Sequence, residues 1–108
     1  MAVQLQMKQG ELIALLDGEI DHHCARELRE EIDSAASRTK PRVLTLDFSR
    51  VQFMDSSGVG LIMGRYRLVS EWGGEGCVAN LPKRLEKLVS LAGIRELCTV
   101  VREEEEEE

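Results

Sequence analysis

The chain has 108 residues, 43% apolar and 31% charged, the composition of one soluble globular domain able to bury roughly 60 to 70% of its extended surface around a single core. Its formal net charge of −6 resides in Glu103 to Glu108: without those six of the 20 acidic residues, 14 acidic side chains face 14 basic ones, which leaves no positive surface for nucleic acid. No apolar run could span a bilayer, no basic-then-apolar leader opens the chain, and Cys24, Cys77 and Cys98, without Cys-x-x-Cys spacing, argue against disulfides or zinc and for reduced thiols in a cytoplasm.

Val3, Leu5 and Met7 alternate with polar residues, the period of a strand with one wet face. Gln9-Gly10 turns the chain into a more apolar strand, Glu11 to Leu16, so the pair reads as an antiparallel hairpin. Asp17 to Ile20 interrupts it, and Asp21 reads as the cap of a helix running to about Ser37, with Ala25, Leu28, Ile32, Ala35 and Ala36 on one stripe. After Lys40-Pro41, Arg42 to Asp47 is predicted as the central strand. Strand, helix and strand make a right-handed crossover. Val51 and Phe53, two apart, are expected to anchor the following connection to the core.

The second helix opens at Ser56 and runs to about Glu71, where Gly73-Gly74 stops it. Trp72 reads as a packing residue at its end. Gly76 to Asn80 is a short strand. Pro82 then starts a third helix with the stripe Leu85, Leu88, Val89 and Leu91, capped by Gly93, and Cys98 to Val101 is the last strand. The glutamates beyond repel one another and are expected to be solvated.

Phe53-Met54-Asp55-Ser56-Ser57-Gly58-Val59-Gly60 joins the central strand to the second helix. Asp and Ser are favoured there as caps, because their oxygens accept from backbone N–H groups that the first turn leaves without partners. The same N–H groups and the positive end of the helix dipole welcome an anion, so a phosphate on Ser56 would be well placed.

That stretch, with Gly60, Gly64-Arg65-Tyr66 and Asp21-His22-His23, resembles the anti-sigma factor antagonist family, the STAS domain, and within it the sporulation branch that acts on sigma F. The likeness runs from about Val3 to Val101. It implies an α/β STAS fold, a small mixed sheet of four to five strands with helices mainly on one side, spanning residues 1–102 and followed by a disordered acidic tail, 103–108. Members usually add a further amphipathic helix after the last strand, for which Arg102 and the glutamates supply no apolar stripe. The resemblance makes Ser56 the phosphoacceptor. It implies a cytoplasmic regulator of transcription with no cofactor and no catalysis of its own. Unphosphorylated, it would bind an anti-sigma factor and free the sigma factor. The anti-sigma factor would itself be the ATP-dependent serine kinase, and a metal-dependent phosphatase would restore the hydroxyl. Nothing suggests more than a monomer.

Around Ser56, Asp55 is a second cap or a shaper of the acceptor loop, and Ser57 a competing acceptor. Gly58, Gly60 and Gly64 each cost a helix about 1 kcal/mol relative to alanine. Gly60 and Gly64 share a face, read either as close packing on the sheet or as close approach of a partner. Gly-x-Gly-x-x-x-Gly after a strand is too loose, and too little chain follows, for a dinucleotide site. Asp21, His22 and His23 are surface or first-turn residues, or partner contacts as in relatives; no complementary cluster makes them a metal site. Arg65 could meet an acidic partner surface. Ser56 lacks the Gly-x-Ser-x-Gly elbow of a hydrolase. The rival to a phosphorylated switch is a STAS-like module binding a nucleotide or lipid at the same helix N-terminus.

Overall fold

Two left-handed residues start the sheet. Gln9 (φ 53) and Gly10 (φ 85) form a two-residue turn of the mirror-image type that matches the twist of paired strands. In the computed structural model of the chain, which describes residues 3–91, 93 and 99–101, this turn joins β1 (Val3–Lys8) to β2 (Glu11–Ile20) in an antiparallel hairpin. There follow α1 (Ala25–Thr39), β3 (Val43–Met54), α2 (Ser56–Ser70), β4 (Glu75–Ala79), α3 (Lys83–Leu91) and β5 (Thr99–Val101). The five strands lie side by side in chain order, and every pairing after the hairpin is parallel.

The core lies on one face of this mixed sheet. Leu12, Ala14 and Leu16 of β2 are buried and alternate with half-buried neighbours, as a strand with one covered face requires, and Leu44, Leu46 and Phe48 of β3 are buried on the same period, with Thr45 between the first two buried as well. Ile32 of α1, Ile62 and Val69 of α2, and Leu85 and Val89 of α3 join the same cluster. Right-handed crossovers stepping in one direction across a sheet leave all their helices on the same side. Trp72 packs at the end of α2 as expected: its Nε1 donates to Pro41 O at 2.9 Å, and Lys40 Nζ lies 4.8 Å from the ring centroid.

Three local expectations are corrected. β2 does not stop at Leu16 but continues to Ile20, carrying Gly18 (φ 91) inside the strand. α1 begins at Ala25, with Cys24 and not Asp21 in the cap position. The Asp21 carboxylate still caps, but it caps the turn ahead of the helix, accepting from His23 N at 3.0 Å and Cys24 N at 3.2 Å. The third correction concerns β3, which runs to Met54, well past Asp47.

In β3 the ladder slips twice. Leu15 pairs with Asp47 but Asp17 with Arg50, and Gly18 pairs with Val51 but Glu19 with Phe53, so at each step β3 holds one residue more than its partner. An extra residue reverses which face the next side chain takes. Burial therefore falls on Leu44, Leu46 and Phe48, two apart, and then on Val51 and Met54, three apart. Val51 anchors the connection as expected, but Phe53 does not: Met54 takes the inward place, and Phe53 is turned out with 49% of its surface exposed. Arg84 of α3 reaches across to this irregular end, donating through Nη2 to Val51 O and Gln52 O, each at 2.9 Å. The expectations for Cys98 and for the segment after Val101, including the acidic tail and the further helix, lie outside the described residues.

Candidate functional site

The end of β3 leads directly into the first turn of α2. Asp55 is extended (φ −104, ψ −166) and is the N-cap: its Oδ1 accepts from Ser57 N at 2.8 Å. Its own N–H donates to Ile20 O at 3.2 Å, tying the connection to the last residue of β2. Ser56 is the first residue of the helix and exposed, while Ser57 is half-buried. Within the first turn itself there is no acidic side chain, so a negative group on Ser56 Oγ would share the positive end of the helix dipole with the capping Asp55 carboxylate alone.

The glycines of α2 divide into two kinds. A Cβ on Gly58 would collide with Met54 Cγ and Sδ, so Gly58 is where the helix seats on the side chain that β3 turns inward. A Cβ on Gly60 or Gly64 would meet nothing within 4 Å. Close packing thus explains Gly58 and does not explain the other two, whose face is open.

That open face is one wall of a groove of about 500 Å³ between α1 and α2. Ser57, Gly60 and Gly64 line it from one side, and His22, Arg26 and Arg29 from the other. Arg26 and Arg29 were not singled out from the sequence. With His22 they fall at the i, i+4, i+7 spacing of one helical stripe, the signal that was available. Arg26 pairs with Glu30 at 3.4 Å on open surface, an interaction worth little.

Arg65 also lines the groove but is spoken for. Only 6% exposed, it sets its Nε 2.7 Å from Asp33 Oδ1 and donates from Nη2 to Asp33 Oδ2 at 3.3 Å, fastening α2 to α1. Burial is the main influence on both groups: it raises the Asp33 carboxyl despite the pull of Arg65 and Arg29, and lowers the Arg65 guanidinium. A carboxyl raised on folding stabilises fully only below its unfolded pKa and loses that contribution as pH rises through the folded one. At neutral pH the pair therefore acts by geometry, and its charge is a cost.

His22 and His23 stand at the mouth of α1 with ring centroids 4.2 Å apart, and both are exposed. Asp21 faces inward to cap. Burial pushes its carboxyl up, but the hydrogen bonds from Cys24 N and His23 N and the charge of His23 outweigh this and hold it below the ordinary value. Ser57, Gly60, Arg65 and His22 thus share one groove, while Ser56 and Asp55 lie at the end of α2 that opens onto it.

Comparison with known proteins gives a consistent result. The family described as STAS domain matches residues 2–107. The anti-sigma F factor antagonist of Paenibacillus polymyxa is 33% identical over 100 residues, covering 93% of this chain and 86% of that protein. The unphosphorylated anti-sigma factor antagonist SpoIIAA superposes with a TM-score of 0.81 at 32% identity, covering 96% of this chain and 91% of that one. SpoIIAA of Bacillus in its phosphorylated form superposes with a TM-score of 0.74 at the same identity, covering 96% and 95%.

Proposed function

The chain belongs to the STAS domain family, and from that premise we propose that it is an anti-sigma factor antagonist switched by phosphorylation of Ser56. In the unphosphorylated state it binds an anti-sigma factor in the cytoplasm as a monomer, and the sigma factor is released. The anti-sigma factor is also the kinase. It transfers the γ-phosphoryl of ATP to Ser56 Oγ, the hydroxyl proton passes to a base of the kinase, and ADP leaves. A metal-dependent phosphatase later hydrolyses the ester. The protein is substrate and binding module, and needs no cofactor.

The observation that carries this reading is an exposed Ser56 at the first helical position, with Asp55 fixed beside it by the bond from Ser57 N. The partner's footprint takes in His22, His23, Asp55, Ser57, Gly60 and the rim at Arg65. Asp21 and Gly58 act from beneath, one holding the turn before α1 and the other seating α2 on Met54.

A phosphate brings about −1.5 to −2 of charge, and a helix N-terminus stabilises such a group by roughly 0.3 to 2 kcal/mol. The fold therefore survives modification, and the effect falls on the partner, which must desolvate a dianion where it met a hydroxyl. A penalty of about 3 kcal/mol weakens binding more than a hundredfold. The test is intact mass and site mapping after incubation with ATP and the serine-kinase anti-sigma factor of the same genome. One added phosphate, absent from Ser56→Ala, is the expected result. No transfer to the unmutated chain by a kinase active on another substrate would overturn the reading.

The groove of about 500 Å³ lined by the exposed Arg26 and Arg29 favours a second reading, a module that binds a nucleotide or lipid headgroup without being phosphorylated. Saturable binding of ATP, GTP or anionic vesicles, with no phosphate transfer, would distinguish it. The described strands run in chain order with no reversal, so such a ligand would lie between helices and not in the crevice of a doubly wound sheet.

A further inference from the structure

We propose that Phe53 is the apolar anchor by which the anti-sigma factor grips this protein, an inference that rests on the function proposed above. Among the described residues three large apolar side chains are exposed, Leu5 at 38%, Met7 at 44% and Phe53 at 49%. Leu5 and Met7 lie on the edge strand β1, whereas Phe53 lies at the end of β3, three residues before the phosphoacceptor. Three residues reach at most roughly 11 Å, and a partner footprint of about 800 Å² has a radius of roughly 16 Å. Phe53 therefore lies within the radius of a footprint centred on the Ser56 hydroxyl.

The exposure is a product of the backbone. Without the second slip in the ladder, the two-residue alternation would bury Phe53 with Val51 and turn Met54 out. The slip is held from outside by Arg84 on the carbonyls of Val51 and Gln52, and the chain is pinned just beyond it by Asp55 N on Ile20 O. The ring is thus carried on a fixed strand, and little order has to be imposed on binding. Bulges recur beside functional sites because they re-aim a side chain in this way, and aromatic residues are enriched at interface cores.

The chemistry of the matching surface follows. Phe53 calls for an apolar pocket on the anti-sigma factor beside its kinase centre. Glu19, exposed and directly opposite Phe53 in the ladder, calls for a cation on the rim of that pocket.

The test compares the full chain with Phe53→Ala, Phe53→Tyr and Met7→Ala, reading affinity for the anti-sigma factor, phosphorylation kinetics and melting. Phe53→Ala is expected to weaken binding at least tenfold and to raise KM for phosphorylation with kcat little changed. Phosphate should still arrive at Ser56, and melting should stay near that of the unmutated chain. Phe53→Tyr should restore binding to within about threefold, and Met7→Ala should be silent. Equal binding by the unmutated chain and Phe53→Ala overturns the anchor alone. Failure of the unmutated chain to bind or be phosphorylated overturns the parent reading and this inference with it.

Discussion

The two halves of β3 are made of similar residues and behave differently. From Val43 to Phe48 the strand keeps a two-residue alternation and buries Leu44, Leu46 and Phe48 beneath the helices. From Ser49 to Met54 it keeps only its ladder partner, gains two extra residues against β2, and buries every third side chain. The first half is a floor for the core. The second is a bracket that aims Phe53 outward, Met54 inward and Ser56 onto the start of a helix. A strand can therefore change its task midway without ending, provided that another element takes up the carbonyls the irregular ladder leaves over, as Arg84 does here.

The contrast is sharpest in one substitution made twice. Phe48→Ala empties a fully buried site and is expected to cost about 3 to 5 kcal/mol in urea unfolding. A cost below about 1 kcal/mol would mean that the floor has no special standing. At the junction of the bracket with α2, Gly58→Ala has to displace Met54 and should cost about 1 to 3 kcal/mol. Gly60→Ala and Gly64→Ala, with open space around them, should each gain up to about 1 kcal/mol in helix propensity. Melting curves that rank the three alike would count against the division of the glycines. Arg84→Ala should cost about 1 kcal/mol and speed amide exchange in the second half of β3 while leaving the first half protected. Uniform loss of protection would remove the bracket as a separate unit. Smallest of all, Phe53→Ala should change stability by no more than about 0.5 kcal/mol, and a loss comparable to that at Phe48 would place its ring in the core after all.

Much of this was legible in the residues. Gln9-Gly10, the stripe of α1, Asp55-Ser56 and Gly73-Gly74 are local signals, and each appears near its expected place. What was not legible is non-local. Nothing within Ser49 to Met54 announces the two slips, because they are set by pairing with β2, and Gly18 read as an interruption when it is a tolerated irregularity within the strand. Arg84 stands more than thirty positions away from the carbonyls it holds. Asp33 and Arg65 belong to different helices, and their pairing exists only once those helices lie side by side. At the candidate site, Ser56 and its cap were visible from motif and spacing, whereas the groove and its arginines depend on how α1 lies against α2.

The chain-order sheet bears on how the molecule is assembled. Each strand pairs only with its neighbours in chain order, so no ladder waits for a stretch from the far end of the polypeptide, although only the hairpin closes a short loop and each parallel pairing must close a crossover through a helix. As the chain leaves the ribosome, the N-terminal hairpin, α1 and the floor of β3 can gather before the later strands exist. The sheet then grows by accretion at one edge. The segment bearing Ser56 is laid down on a foundation already in place, so a newborn molecule is expected to become competent for its partner only as α3, which carries Arg84, comes to rest.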